Sequence, residues 1–199
     1  MNQVMLSNLM QHVGKTTHVE PDLLRHMVLN TTRLLNKKFT KEYGEFIICC
    51  DDKNYWRKDI FPYYKAHRKK NRDESSLDWN MIFTTLNAMR EDFKTTFPYR
   101  VLHIPHAEAD DVIAAMCHRF GVYLNSAAAQ KILIVSSDKD FMQLQKYSNV
   151  NQYSSIQKKM IRHNDPHIYL KEHIMKGDRG DGIPNFLSDD DSFVVRKKN

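Results

Sequence analysis

The densest chemistry in this chain is carboxylate. The stretch "HAEADDVIAAM", His106 to Met116, sets Glu108, Asp110 and Asp111 within four positions and then turns apolar. Like charges so close repel one another unless something compensates them. Three more clusters share the habit: Asp51 and Asp52 after "EFIICC", Asp138 and Asp140 in "IVSSDKDF", and Asp178 and Asp181 in "KGDRGDGIP". If they converge, so much negative charge in one cleft is stable only when cations neutralise it. Oxygen ligands without a cysteine pair or ligand-spaced histidines point to Mg²⁺ or Mn²⁺ rather than zinc. Two such ions about 4 Å apart can activate a water and stabilise the leaving oxygen of a phosphodiester.

Each cluster also has a purely local reading. Acids in a first helical turn favour the helix dipole, which covers "AEADD". Asp138 reads equally as a helix N-cap with Asp140 in the first turn. Asp178 and Asp181 read as turn residues among glycines, and a single "DD" after a strand is weak evidence. What the local readings leave unexplained is a shared position at strand ends.

The elements that must position these acids alternate. "EPDLLRHMVLNTTRLLNKKF" (20–39) repeats its apolar residues at close to 3.6 and ends in basic residues, which predicts a helix. "EFIICC" (45–50) predicts a strand, "LDWNMIFTTLNAMREDF" (77–93) a helix, "YRVLHIP" (99–105) a strand and "AEADDVIAAMCHRF" (107–120) a helix. "KILIVSS" (131–137) then predicts a buried strand, "DKDFMQLQKY" (138–147) a short helix, "VNQYSS" (150–155) a strand, and "DPHIYLKEHIMKG" (165–177) a helix closed by Gly177. The fold class this implies is α/β, a mostly parallel central sheet with helices on both faces. Ligands of such sheets gather outside the carboxyl ends of the strands, where three of the four acidic clusters fall.

Beside the first cluster lies "YWRKDIFPYYKAHRKKNRDES". Between Arg57 and Arg72 it carries seven Lys or Arg residues against one acid, Asp59, with Trp56, Phe61, Tyr63 and Tyr64 interleaved. Cations suit phosphates and rings suit splayed bases, although a solvated basic helix with a few core aromatics would read the same way. Next to an acidic cluster, the stretch reads as a nuclease clamp. The net charge of +6 favours an anionic partner. Hydrophobic content of 41% and charged content of 27% describe an ordinary globular chain. No run approaches the roughly 20 apolar residues of a membrane span, and the N-terminus is a poor signal peptide. Three cysteines make no disulfide framework, which fits a reducing cytoplasm.

Five motifs in order, the Asp after "IICC", "YWRKD…YYKAHR", "EADD", "SSDKDF" and "GDRGDGIP", resemble the flap endonuclease and 5′→3′ exonuclease family, most closely its bacteriophage RNase H members. The resemblance implies a PIN-like 5′ nuclease fold and a magnesium-dependent enzyme that removes RNA primers and 5′ flaps in DNA replication. It implies two Mg²⁺ ions (Mn²⁺ as a substitute): Asp51, Glu108, Asp110 and Asp138 around the first, Asp140 and Asp181 at the second with Asp178 nearby, and Asp111 behind them. Lys65 and Arg68 match the basic pair that contacts the scissile phosphate. Arg57, Lys58, Tyr63, Tyr64, Lys69, Lys70 and Arg72 become nucleic-acid contacts. Implied partners are DNA with 5′ flaps and RNA–DNA hybrids, with a replication single-strand-binding protein or clamp as further candidates, no membrane, and the cytoplasm of a phage-infected bacterium as the setting.

The chain departs from the family pattern at both ends. Members open with a strand ending in a metal-binding Asp, whereas "NQVMLSNLM" resembles the segment just after that Asp. At the other end the glycine-rich turn runs into "NFLSDDDSFVVRKKN", Gly182 stands where Asn is usual, and Asp189 to Asp191 read as a solvated acidic tail. The expectation is a catalytic domain over 1–181 truncated at both ends, with a basic arch at 53–75 and a tail or truncated helix–hairpin–helix at 182–199. Such a chain is a fragment, a split-gene product or half of an assembly. The competing functions are a catalytically inactive module that only binds nucleic acid and a small ribonuclease of the same carboxylate-sheet type.

Overall fold

A computed structural model describes residues 1–13, 19–124 and 128–194. Helices α1 (Asn2–Val13) and α2 (Pro21–Tyr43) precede strand β1 (Ile47–Cys50). Two short helices, α3 (Arg57–Ile60) and α4 (His67–Asp73), lie in the basic stretch and lead to α5 (Trp79–Thr95), β2 (Arg100–His103) and α6 (Ala109–Phe120). The chain continues through β3 (Ile132–Val135), a 3₁₀ helix (Lys139–Lys146), β4 (Val150–Ser154), β5 (Lys159–Ile161) and α7 (Pro166–Lys176).

Local signals explain most boundaries. Pro21 opens α2, where its missing N–H costs nothing, and Gly44 closes it at φ 83°. Asp78 caps α5 by accepting from the Met81 amide, and Asp165 caps α7 with Pro166 behind it. Helix α1 has no counterpart among the elements expected from the sequence. It holds because Met5 and Leu9, one turn apart, bury against the α2 and α5 face, which contributes Leu24, Val28, Ile82, Leu86, Met89 and Phe93.

The fold is α/β as the alternation implies, yet its strands divide between two sheets. β1 pairs in parallel with β2, while β3 pairs in parallel with β4 and β4 in antiparallel with β5. Apolar runs identify strands, but the choice of partner edge is made by tertiary packing, so a single sheet was the simpler expectation. Helix α6 joins the two halves. Its Ala109 and Val112 pack on Cys49 of β1, and its Cys117 packs with Ile134 of β3 and with Phe141 and Leu144 of the 3₁₀ helix. β5 gives no clear sequence signal because it is three residues long and no residue of it is buried. The three cysteines are free and buried; burial pushes the Cys49 thiol up to about 11 and the Cys117 thiol up to about 12. No helix among the described residues is long and apolar enough to cross a membrane.

Candidate metal centre

The carboxyl ends of β1 and β3 and the N-terminus of α6 meet at the acidic residues. Asp51 leaves β1 and accepts from the Ala109 amide at 2.9 Å, satisfying one of the orphan donors that start α6. Glu108 is the α6 N-cap and forms a capping box with Asp111, whose carboxylate accepts from the Glu108 amide at 2.9 Å. The crowding of "EADD" is thus partly local chemistry. It is not only that: the Glu108 side chain is 5% exposed and surrounded by donors. Lys65 Nζ lies 2.8 Å from one oxygen, and the Tyr64 hydroxyl (3.0 Å) and Arg57 (3.1 Å) reach the other. Arg57 also pairs with Asp111 at 2.8 Å, joined by the Trp56 indole N–H at 3.2 Å.

Asp110, one position into the helix, has a different environment. Burial pushes its carboxyl up to about 7, and the charges of Asp138, Asp51 and Glu108 push the same way against Lys65. That field joins acids from β1, α6 and the loop after β3. Asp138 caps the 3₁₀ helix by accepting from the Asp140 amide at 3.1 Å, and the fully buried Gln152 fixes its backbone with a bond of 2.6 Å to its carbonyl. Burial likewise raises the Asp140 carboxyl, reinforced by Asp138, Asp181 and Asp178 and opposed by His173.

Asp178 and Asp181 come from the glycine-rich turn. Asp178 pairs as a bridge with Ile183 and accepts from the Asp181 amide at 3.1 Å. The turn needs its glycines. Gly177 sits at φ 68°, where a Cβ would meet the Pro184 carbonyl at 2.4 Å, and Gly182 sits at φ 73° against His67 and Tyr63. Asp181 then receives Arg68 at 2.6 Å, the Tyr64 hydroxyl at 2.8 Å and Lys65 at 3.5 Å. Its carbonyl accepts the Lys65 amide at 2.7 Å, which helps hold Lys65 at φ 56°, a conformation side chains rarely adopt.

The basic stretch therefore divides into an inner and an outer set. Arg57, Lys65 and Arg68 turn toward the carboxylates. For Arg57 and Lys65, burial alone would lower the pKa, but the neighbouring carboxylates outweigh it and hold both cations charged. Lys58 lies exposed over the Tyr55 ring, Lys69 is exposed, Lys70 pairs with Glu74 at 3.6 Å, and Arg72 lies 5.9 Å from the Phe83 ring centroid. Tyr63 packs edge-on to Phe61. Tyr64, read from the sequence as a base-stacking residue, is 5% exposed. Its ring faces the interior, and its hydroxyl, held protonated by burial and by Asp181 and Glu108, bridges two carboxylates. The adjacent Asp52 turns away to the His106 amide and His103. Asp189 and Asp190 are exposed, and Asp190 lines an open cavity of about 430 Å³ with Trp56, Arg57, Ile60 and Phe186.

Two roles at the site had no sequence signal: the carboxylate bridge of Tyr64, which was expected to contact nucleic acid, and the whole part of His173. The Tyr64 bridge was hidden in an aromatic-rich stretch, and His173 lies five positions before Asp178, outside any familiar ligand spacing. Its Nε2 stands 2.9 Å from Asp140 and 3.6 Å from Asp178.

The donor set fits a hard divalent ion. It is rich in carboxylate oxygen, one carboxyl is driven to about 7 by burial and its neighbours, and Asp140 Oδ1 is a buried oxygen that receives no hydrogen bond among the described residues. Acids gathered at strand ends beside a basic stretch mark an α/β domain with an acidic, cation-rimmed cleft. The family described as "5′-3′ exonuclease, N-terminal resolvase-like domain" matches residues 11–175, and the chain belongs to it. It is 34% identical to the ribonuclease H of Enterobacteria phage T4 over 98% of its own length, and spans 64% of that protein. It is also 30% identical to DNA polymerase I of Rhizobium leguminosarum over 65% of its length, which is 12% of the polymerase. Among solved structures, the T5 5′-exonuclease with divalent metal ions (zinc) bound superposes with a TM-score of 0.68 at 21% identity, covering 90% of this chain and 67% of that one. The T5 D15 protein co-crystallised with metal ions superposes at 0.64 with 20% identity, covering 81% and 62%. These likenesses agree in fold with the PIN-like architecture that the motifs implied.

Proposed function

We propose that the chain is a divalent-metal-dependent 5′ nuclease, with 5′→3′ exonuclease, RNase H and flap endonuclease activity on RNA primers and 5′ flaps. The observation that carries this is the convergence of Glu108, Asp110, Asp138, Asp140 and Asp181 in one electrostatic field with Lys65 and Arg68 on its rim. Two ions, Mg²⁺ or Mn²⁺, would be held by Asp51, Glu108, Asp110 and Asp138 on one side and by Asp140, Asp178 and Asp181 on the other. When bound, they supply activation of water and charge stabilisation at the phosphodiester.

The chain's own residues divide the remaining work. Lys65 and Arg68 carry donors that can pass from Glu108 and Asp181 to a phosphate, which is also anionic and offers the guanidinium a matching pair of oxygens. Asp111 keeps Arg57 and the α6 N-terminus in position, so that Glu108 is aimed before substrate arrives. Lys58, Lys69, Lys70, Arg72 and Tyr63 lie along the strand path and hold its backbone or bases. On this reading residues 1–181 form the catalytic unit, 53–75 its clamp and 182–199 a tail region. DNA with 5′ flaps and RNA–DNA hybrids are the substrates, a single-strand-binding protein or clamp is the replication partner, and the infected bacterial cytoplasm is the setting.

A second reading, binding without cleavage, draws on the ion pairs already made to Glu108 and Asp181, which leave one acid of each proposed ligand set compensated by a protein cation. Cleavage of a 5′-end-labelled flap and of an RNA–DNA hybrid, with Mg²⁺ and then with EDTA, separates the two. The nuclease reading expects Mg²⁺-dependent cutting that falls on the order of 10³-fold in Asp138→Asn, the scale of losing one preorganised charge group, with binding retained. Binding with no cutting at any ion concentration would leave the binding module as the function.

A further inference from the structure

We propose that His173 supplies a nitrogen ligand beside Asp140 and Asp178, so that this corner of the cleft takes a transition-metal ion such as Mn²⁺ in preference to Mg²⁺. The inference rests on the metal-dependent reading above and adds a residue to it. Three elements bring the donors together: the 3₁₀ helix carries Asp140, α7 carries His173, and the turn after α7 carries Asp178. One ligand atom from each lies within 4.8 Å of the others.

The distances within this group are short enough for a shared ion, with His173 Nε2 3.6 Å from Asp178 Oδ2. His173 Nε2 and Asp140 Oδ1 are 2.9 Å apart, and yet this buried oxygen receives no hydrogen bond among the described residues. The separation is close to the edge of an octahedron with ligands at about 2.1 Å, which is about 3.0 Å. The ring is held in place from behind, since Tyr169, one turn earlier on α7, stacks on it with planes 13° apart and centroids 5.7 Å apart. His163 packs against Tyr169 in turn, with ring centroids 5.0 Å apart. A ring fixed this way has little freedom to turn away from Asp140.

The consequence is selectivity. Mg²⁺ prefers oxygen and dehydrates reluctantly, whereas imidazole suits the later divalent ions, whose affinity for a nitrogen-containing site is higher. A cleft lined only by carboxylates would not discriminate in this way. The alternative role for His173 is as an imidazolium counter-ion that compensates Asp140 and Asp178 without touching a metal.

The experiment is Mn²⁺ titration of the full chain, followed by electron paramagnetic resonance. The unbound-ion signal reports occupancy, and electron-spin-echo modulation reports nitrogen directly coordinated to the ion. The expected result is nitrogen modulation in the wild type that is lost in both His173→Gln and His173→Asn. Their Mn²⁺ affinity should fall on the order of tenfold, while Mg²⁺ affinity, read by competition, changes by less than about twofold. Labelling histidine with ¹⁵N in the unsubstituted chain should change the modulation pattern, which keeps the test open even if a variant folds poorly. Mn²⁺ that binds with no nitrogen modulation, or with modulation that survives both substitutions, would overturn the role of His173 and leave the carboxylate centre standing. No Mn²⁺ binding in the wild type would overturn both.

Discussion

On one side of the cleft Glu108, Asp111 and Asp181 face Arg57, Tyr64, Lys65 and Arg68, at distances of 2.6 to 3.1 Å for the shortest contacts. On the other side Asp110, Asp138, Asp140 and Asp178 face chiefly one another, and His173 is the basic side chain at ion-pair distance from two of them. The chain neutralises the first group by itself. The second carries repulsion that Lys65 and His173 offset only in part, and that holding a proton or a metal ion relieves. Preorganisation and ion affinity are thus separated in space: the cation-paired side fixes the shape of the centre, and the acid-rich side supplies the drive to bind cations.

The largest expected effect tests the acid-rich side. The Asp110 carboxyl is pushed from the ordinary 3.8 to about 7, by burial first and then by Asp138 and Asp51. Between those values the folded chain holds a proton that the unfolded chain has released. The stability from this group is therefore full below about pH 4 and is lost as pH rises through about 7. Urea unfolding of the metal-free chain should show a loss of up to about 4 kcal/mol across that window, and Asp110→Asn should remove that part of the slope. Saturating Mg²⁺ should flatten the wild-type profile as well, because an ion replaces the proton. An identical pH slope in wild type and Asp110→Asn would mean that the repulsion assigned to this side is absent.

A smaller effect tests the paired side. The Tyr64 hydroxyl has one proton and lies within reach of both Glu108 and Asp181. Tyr64→Phe keeps the buried ring and removes the only proton this side chain can offer to the two acids. The loss should be about 1–3 kcal/mol, read as a lower urea midpoint with an unchanged slope. No change would show that Lys65, Arg57 and Arg68 compensate these acids without it, and the contrast between the two sides would rest on cations alone.

The same contrast explains what the sequence could disclose. The acids of both sides were legible because each lies just past a strand or at a helix boundary, and those boundaries are marked by apolar runs and by Asp or Gly at fixed offsets. Lys65 and Arg68 were legible through their place in "YYKAHR". The inward turn of Tyr64 was not, since composition cannot tell a ring that stacks on a base from one that supports a carboxylate. His173 was hidden for another reason: its partner Asp140 is 33 positions away, and only the packing of α7 on the 3₁₀ helix brings them together. The division into two sheets escaped for the same cause. Strand identity is written locally, and strand partnership is decided by what α6 and its neighbours cover.

The smallest expected effect lies at the outer edge of the basic stretch. Lys69 and Lys70 are exposed, and Lys70 makes a 3.6 Å pair with Glu74 that is worth little to folding. Lys70→Gln should therefore change stability by no more than about 0.5 kcal/mol. If Lys70 tracks a phosphate, binding of a 5′ flap in EDTA should lose about one unit from the slope of log affinity against log salt. Lys69→Gln should do the same, and the two should add, because exposed cations on one helix contribute to counterion release separately. The inner cations differ, since Lys65 and Arg68 begin paired with Glu108 and Asp181 and must leave one anion to meet another. Substituting either should change the salt slope less than Lys70→Gln does, because part of its charge is already neutralised before nucleic acid arrives. An equal slope change for Lys65 and Lys70 would erase the distinction between inner and outer cations. It would mean that the strand meets the whole basic stretch as a single charged surface.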